Sequence, residues 1–257
     1  MAPVLPAAFV QTPITHRALH DGARGMPENS LAAAKAAVSR GYGIEIDVQP
    51  SSDGQAMVFH DATLDRMTDQ TGRVDQRTAA DLGQITLTGS ADKIPTLPQL
   101  LDLVAGRVPL LIEIKDQAKN AGEVPGDLER AVAKALLGYG GPVAVMSFNP
   151  NAVAVMQELS PHTPRGLTTC DFPPSKWTGL TEDRCAQLRE IKDFDRTGAQ
   201  FISHDCKDLS SPHVAQLKAR GVPILCWTIK SPQDEAQARQ IADNITFEGY
   251  LAPHAQA

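Results

Sequence analysis

The sequence predicts an α/β fold, a (β/α)8 barrel (TIM barrel) with a small insertion after the second strand. Short apolar runs rich in Val and Ile alternate along the chain with longer amphipathic stretches, which is the pattern of parallel strands covered by helices. Eight such units in 257 residues suit a closed barrel better than an open, doubly wound sheet. In addition, no Gly-x-Gly-x-x-Gly turn follows the first run, although a dinucleotide-binding sheet would require one.

Each element follows from the local spacing of apolar residues. The predicted strands are 14–17, 43–48, 110–115, 143–148, 166–170, 201–205, 223–229 and 244–248. The predicted helices are 31–40, 128–137, 152–159, 186–194, 212–220 and 233–242, and several of them end in Gly. The segment at about 51–103 is too long for one crossover and is rich in turn residues, so it predicts an excursion from the barrel. No linker or shift in composition separates a second domain, and we expect residues 1–257 to form one.

Composition and charge exclude several classes of protein. Hydrophobic residues make up 42% of the chain and charged residues 21%, which is enough apolar material for a real core. The net charge of −6 disfavours general binding to nucleic acid or to an anionic membrane. There is no apolar run of roughly 18 residues, and no Lys or Arg precedes Arg17, so we expect a cytoplasmic protein without membrane insertion.

The four cysteines do not form a metal or disulfide pattern. No two of them are spaced as Cys-x-x-Cys, and they are spread too evenly for a zinc knuckle. We therefore expect reduced thiols that pack in the core. They are Cys170, Cys185, Cys206 and Cys226.

Charged residues occur at the ends of the first strands of the predicted barrel. Glu45 and Asp47 are two apart, so they share one face of strand two, and Glu113 and Lys115 do the same on strand three. Strand one ends in a His-Arg pair, and the short strand of the excursion ends in a His-Asp pair. The side chains expected to converge at the carboxyl ends of these strands are His16, Arg17, Glu45, Asp47, His60, Glu113 and Lys115.

The convergence of three acids predicts a cation site. A single carboxylate at a strand end is most often solvated or caps a helix, and Arg17 and Lys115 could simply pair with the acids. Three carboxylates on one interior patch, however, repel one another unless a cation lies among them. Oxygen ligands from Glu45, Asp47 and Glu113 suit Mg²⁺ or Ca²⁺, and suit zinc less well.

The neighbouring residues predict phosphodiester chemistry. A metal beside Arg17 and Lys115 favours a phosphate-bearing small molecule as substrate. Two histidines that titrate near neutral pH, His16 and His60, can then remove a proton from the attacking hydroxyl and protonate the departing alkoxide.

Taken as an ordered set, these residues carry a resemblance to a known family. The sequence resembles the glycerophosphodiester phosphodiesterase family, strongly over about residues 14–115 and more weakly through Trp227-Thr228. The motifs that carry the resemblance are His16-Arg17, Pro27-Glu28-Asn29-Ser30, Glu45-Ile46-Asp47-Val48, Asp53-Gly54, Val58-Phe59-His60-Asp61, Thr63-Leu64-Asp65-Arg66, Thr68, Ile94-Pro95-Thr96-Leu97 and Glu113-Ile114-Lys115.

The resemblance implies a barrel with an insertion after strand two and a metal-dependent release of an alcohol and glycerol 3-phosphate. It implies metal ligands at Glu45, Asp47 and Glu113, and an acid–base pair at His16 and His60. It also implies phosphate contacts from Arg17 and Lys115, and packing of Trp227 against the glycerol part of the substrate. The position of two further residues, at the ends of strands four and six, fits either pocket lining or ordinary capping. They are Ser147 and His204.

The sequence departs from the family pattern at the rim of the site. Ala18 replaces the usual Gly and opens a longer loop, 19–26, while Lys230 and Glu248 replace the usual Asn and Asp. These changes leave the identity of the diester open, and the oligomeric state is not indicated. Attack by water and attack by the substrate's own hydroxyl through a cyclic phosphate both stay possible.

Two alternative functions compete with diester hydrolysis. One is a phospholipase-like lyase that forms a cyclic phosphate from a lipid head group; aromatic residues total only 5%, and no exposed aromatic cluster is evident. The other is a barrel that binds phosphodiesters without turnover, which the presence of both histidines and all three acids disfavours.

Overall fold

A computed structural model describes residues 3–118 and 121–254. In chain order its helices and strands are α1 (Ala8–Gln11), β1 (Ile14–Thr15), α2 (Leu31–Ser39), β2 (Gly43–Pro50), β3 (Ala56–Val58), α3 (Ala79–Leu82), α4 (Leu97–Val104), β4 (Leu110–Ile114), α5 (Asp127–Ala135), β5 (Val143–Ser147), α6 (Pro150–Leu159), β6 (Arg165–Thr169), α7 (Glu182–Arg189), β7 (Phe201–Asp205), α8 (Pro212–Ala219), β8 (Ile224–Ile229), α9 (Pro232–Ala238) and β9 (Asn244–Phe247). Each of the eight predicted strands overlaps one of these strands, and β3 lies in the predicted excursion. The chain divides into two compact units. The first unit comprises 14–115 and 126–143, and the second comprises the described residues of 1–13, 116–125 and 144–257.

The first unit is built on three parallel strands. β2 pairs with β1 on one side and with β4 on the other, and the short β3 runs antiparallel to the end of β2. The register places Asp47 opposite Glu113 across β2 and β4. Because side chains alternate along a strand, Glu45, Asp47 and Glu113 share one face of this sheet.

The excursion after β2 has an apolar core of its own. Eight buried residues pack together there, and the first and last of them lie 37 positions apart in the chain, so the turns close a small core instead of an open loop. They are Met57, Phe59, Leu64, Val74, Leu82, Ile85, Leu87 and Ile94. The end of the predicted 51–103 insertion is helix α4, which begins at a capping box formed by Thr96 and Gln99.

The second unit contains five parallel strands in the order of the chain, β5 to β9. Its N-terminal segment is held by Asn244 on β9, whose side-chain amide donates to the carbonyls of Phe9 (2.7 Å) and Thr12 (2.6 Å). Helix α7 begins four residues before its predicted start, because the Thr181 hydroxyl accepts a hydrogen bond from the Arg184 N–H and caps the helix there.

Two further features of the structure concern the cysteine thiols and the length of the helices. All four cysteines are free, and three of them are buried. Among the described residues, no helix is long and apolar enough to cross a membrane.

Gly166 on β6 provides a test of packing in the second unit. A Cβ added there would lie 2.4 Å from the ring of Phe201, which is fully buried on the neighbouring strand. We expect Gly166→Ala to lower the free energy of unfolding by roughly 1–3 kcal/mol, because the ring has no space to move. Gly140→Ala is the control, since a Cβ there meets nothing within 4 Å. Urea denaturation of both variants tests this, and equal stabilities would contradict it.

Candidate active site

Three buried carboxylates form the centre of the candidate site in the first unit. Glu45 and Asp47 are each 2% exposed and Glu113 is 6% exposed, and carboxylate oxygens of the three residues lie within 4.8 Å of one another. The strand register accounts for this grouping, because Glu45 and Asp47 alternate along β2 and Glu113 faces Asp47 from β4. The sequence prediction placed these acids together, and the structure brings them together.

Lys115 supplies one positive charge to this cluster. Its Nζ lies 2.6 Å from Oδ1 of Asp47 and 2.6 Å from Oε1 of Glu113. Burial alone would lower the pKa of Lys115, but the charges of Asp47 and Glu113 outweigh burial and raise it. Burial would likewise raise the pKa of Asp47, but Lys115, His60 and Arg17 together hold it well below its usual range.

Glu45 is the carboxylate whose charge these cations compensate least. Burial raises its pKa well above the ordinary value, and the negative charges of Asp47 and Glu113 raise it further. The hydrogen bond from the Arg17 N–H and the charge of Lys115 oppose this shift without cancelling it. The basic residues therefore do not fully neutralise the three carboxylates, and a further cation would do so. The three buried oxygen donors fit a hard divalent ion such as Mg²⁺ or Ca²⁺.

Arg17 reaches the cluster through a sharp turn after β1. Arg17 and Ala18 both have left-handed backbones (φ 51° and 66°), and their N–H groups donate to the side chain and the carbonyl of Glu45, respectively (2.8 and 2.9 Å). The Arg17 guanidinium donates to Glu28 (2.8 Å) and lies 3.5 Å from Asp47. The guanidinium is thus held beside the three acids, where an anionic group would meet it.

His16 occupies the position between β1 and this turn. The preceding residue pairs with Ile44 on β2, and the following residue donates to Glu45, so the His16 backbone is fixed next to the cluster. A ring nitrogen of His16 lies within 4.8 Å of a ring nitrogen of His20. His20 belongs to the longer loop that follows Ala18.

His60 lies at the end of the short antiparallel strand of the excursion. Its Nδ1 is 2.6 Å from Oδ1 of Asp61. Burial lowers the pKa of His60, Lys115 lowers it further, and Asp47 and Asp61 act in the opposite direction. Because an ionised Asp61 can only accept, Nδ1 carries the proton in neutral His60, and Nε2 then carries the lone pair that can accept another.

Asn29 has a role that the sequence did not reveal. Either Asn29 or Ser30 could cap helix α2, and the structure assigns the cap to Ser30, whose hydroxyl accepts from the Ala33 N–H. Asn29 instead donates to Oδ2 of Asp47 (2.9 Å) and accepts from the Asp47 N–H (3.2 Å). It fixes the orientation of Asp47, and the only sequence signal for this was its place in the Pro-Glu-Asn-Ser motif.

The remaining predicted site residues belong to the second unit, where each has local partners. The Ser147 hydroxyl is buried and accepts from the Asn149 N–H. His204 is 1% exposed, with Nδ1 2.8 Å from the Thr169 hydroxyl and Nε2 3.2 Å from the Asp208 carboxylate. Trp227 donates from its indole nitrogen to the Ser203 carbonyl (3.0 Å).

Trp227 also belongs to an aromatic cluster that the sequence did not show. Its ring contacts Phe148 edge-on at 5.5 Å, and Phe148 in turn packs against Trp177 at 5.2 Å. Phe172 lies 4.8 Å from Trp177 and 6.2 Å from Phe148. The four residues come from three separate segments of the chain, so no local pattern indicates the cluster.

Comparison with solved structures shows the fold. An Oleispira antarctica phosphodiesterase, solved in complex with the product sn-glycerol-3-phosphate, is 23% identical and matches with a TM-score of 0.73 over 92% of each chain. A glycerophosphodiester phosphodiesterase from Thermotoga maritima is 18% identical, with a TM-score of 0.68 over 92% of this chain and 94% of that one. The protein is a (β/α)8 barrel, as the sequence predicted.

Sequence comparison then identifies the family. The profile of the Glycerophosphoryl diester phosphodiesterase family matches residues 16–245, and the chain belongs to this family. The glycerophosphodiester phosphodiesterase of Bacillus subtilis (strain 168) is 27% identical over 238 residues, covering 84% of this chain and 76% of that protein. Human glycerophosphodiester phosphodiesterase 1 is 29% identical over 244 residues, covering 85% and 71%. The predicted family resemblance is confirmed.

Proposed function

We propose that this protein hydrolyses glycerophosphodiesters to an alcohol and glycerol 3-phosphate with the help of a divalent cation. The observation that carries the proposal is the buried cluster of Glu45, Asp47 and Glu113, with Arg17 and Lys115 beside it. Family membership and the product bound in the Oleispira antarctica enzyme support the same substrate class. A cytoplasmic location remains a prediction.

The three carboxylates would hold the cation, and the two basic residues would bind the phosphate. When bound, Mg²⁺ or Ca²⁺ would supply a Lewis acid that polarises a phosphoryl oxygen. The Arg17 guanidinium is held by Glu28 and the backbone turn, so it can meet a phosphate without losing further freedom. Trp227, Ser147 and His204 stay predicted substrate contacts, although the partners of Ser147 and His204 within the second unit also suit a positioning role.

The two histidines would carry the protons. The Asp61 carboxylate holds the His60 imidazole in the tautomer whose Nε2 can accept a proton, and His16 would be the second member of the acid–base pair. Attack by water and attack by the glycerol hydroxyl would require the same proton transfers. In both routes one histidine must accept a proton and the other must donate one.

Product analysis after metal removal tests the proposal. The protein is treated with EDTA, dialysed, and assayed against glycerophosphocholine and other glycerophosphodiesters with added Mg²⁺, Ca²⁺ or Mn²⁺, with the products followed by phosphorus NMR. We expect no turnover until a divalent ion is added, and then an alcohol and glycerol 3-phosphate. Full activity in metal-free protein would contradict the metal requirement, a persistent cyclic phosphate would indicate the lyase reaction, and tight diester binding without turnover would indicate a binding protein.

A further inference from the structure

Arg66 follows β3 in the excursion and contacts two acidic residues that lie far apart in the sequence. Its guanidinium donates to Asp61 from Nε and Nη2 (2.6 and 3.0 Å) and to Glu28 from Nη1 and Nη2 (2.9 and 2.7 Å). Both contacts use two N–H groups against two carboxylate oxygens. This paired geometry fixes the orientation of each carboxylate more tightly than a single contact would.

Each end of this arrangement continues to a residue of the candidate site. Asp61 accepts from Nδ1 of His60, and Glu28 accepts from the Arg17 guanidinium (2.8 Å). Arg66 itself is 46% exposed, whereas the side chains of Asp61 and Glu28 are 23% and 14% exposed. The guanidinium therefore spans the outer side of the site, with an acid–base candidate at one end and a phosphate-binding candidate at the other.

We propose that Arg66 is a positioning residue that holds the His60 imidazole in its working orientation by fixing the Asp61 carboxylate. This inference rests on the proposed function and adds a residue to it. Asp61 follows His60 directly in the chain and is partly exposed, so its side chain alone could rotate between His60 and solvent. Arg66 prevents that rotation because it is anchored on its far side by Glu28, which is itself held by Arg17.

The arrangement predicts which kinetic constant should change. Arg17 keeps its contacts with Glu28 and Asp47 when Arg66 is altered, so binding of the phosphate should change little. The orientation of His60 matters in the chemical step, where a small displacement of an acid–base group is costly. The effect should therefore fall on kcat and not on KM.

Arg66→Lys tests this inference, because one ammonium group keeps the charge but cannot hold two carboxylates by paired contacts. With the metal-loaded protein and a glycerophosphodiester, we expect kcat to fall about 10- to 100-fold and KM to change less than about threefold. Asp61→Asn should lower kcat at least as much. The double variant should be no worse than Asp61→Asn alone, since both changes interrupt the same chain of contacts.

Arg73→Lys is the matched control. Arg73 lies in the same excursion and makes the same paired contact with a carboxylate, Asp75 (2.8 and 2.5 Å), but that contact leads to no residue of the site. The kcat of Arg73→Lys should equal that of the unaltered protein. The inference is overturned if Arg66→Lys behaves like Arg73→Lys, or if the losses of Arg66→Lys and Asp61→Asn multiply in the double variant. Absence of turnover in the unaltered, metal-loaded protein would instead reject the proposed function.

Discussion

We expect His60→Ala and His16→Ala each to lower kcat by about 10²- to 10⁴-fold in the metal-loaded protein, the range for loss of one acid–base group. Asp61 fixes the proton of neutral His60 on Nδ1, so alanine removes Nε2, the nitrogen that we propose exchanges protons with the substrate. His16 is held beside Glu45 by the turn after β1, because the N–H of the next residue, Arg17, donates to the Glu45 carboxylate. Steady-state kinetics with a glycerophosphodiester whose leaving group is a poor one measures the effect.

His162→Ala is the control for these variants, because His162 is exposed in the turn between α6 and β6. Its kcat should not change. The double variant His16→Ala with His60→Ala should lose much less than the product of the two single losses, if the two groups act in one proton-transfer sequence as we propose. If His60→Ala keeps more than about a tenth of kcat while retaining bound metal, the assignment of His60 to the acid–base pair is wrong.

We expect Glu45→Gln to lower metal-dependent kcat by on the order of 10³-fold, and at the same time to stabilise the metal-free protein. A neutral amide replaces one of the three proposed ligands, and this should weaken both cation binding and polarisation of the phosphoryl oxygen. In the metal-free protein, however, burial and the charges of Asp47 and Glu113 make ionised Glu45 unfavourable. The neutral side chain removes this cost, so in EDTA Glu45→Gln should unfold at a higher urea concentration than the unaltered protein.

The pH dependence of stability gives the sign of this effect. The pKa of Glu45 is higher in the folded than in the unfolded chain, so its contribution to stability is fully present below the unfolded value and is lost as pH rises through the raised folded value. Metal-free protein should therefore lose stability as pH rises above the ordinary glutamate pKa of about 4.3, and Glu45→Gln should reduce that loss. Saturating Mg²⁺ or Ca²⁺ should suppress the same loss in the unaltered protein.

Asp47→Asn is the matched comparison, and its expected sign is opposite. Asp47 accepts from Lys115 and lies 3.5 Å from Arg17, so its removal takes one carboxylate from each of these two cations, which keep their contacts with Glu113 and Glu28, respectively. This loss should destabilise the metal-free protein by roughly 1–3 kcal/mol. Denaturation of both variants in EDTA at several pH values measures these effects. If Glu45→Gln is destabilising without metal to the same extent as Asp47→Asn, the three carboxylates do not form the repulsive cluster that a cation would relieve.

The sequence determined much of the fold and the centre of the site. Short apolar strands have a period of two residues, so the order of strands and the shared face of Glu45 and Asp47 could be derived from spacing alone. Parallel strands end at one edge of a sheet, and this predicted that Glu113 and Lys115 would join them. The short strand before His60 was visible for the same reason. These inferences succeeded because they depend on local backbone geometry.

Tertiary structure alone decided how the polar residues divide their contacts. Asn29 and Ser30 are both good caps, and only the approach of Asp47, 18 positions away, assigns the cap to Ser30 and frees Asn29 to hold the carboxylate. Arg66 meets Glu28 across 38 positions, and the aromatic cluster joins three separate segments of the second unit. Such contacts arise where turns and left-handed residues set the direction of the chain. The spacing of residues in the sequence does not predict which distant carboxylate an arginine will contact. Local periodicity therefore fixes the strands and the acids they carry, while long-range packing decides which neighbours orient them.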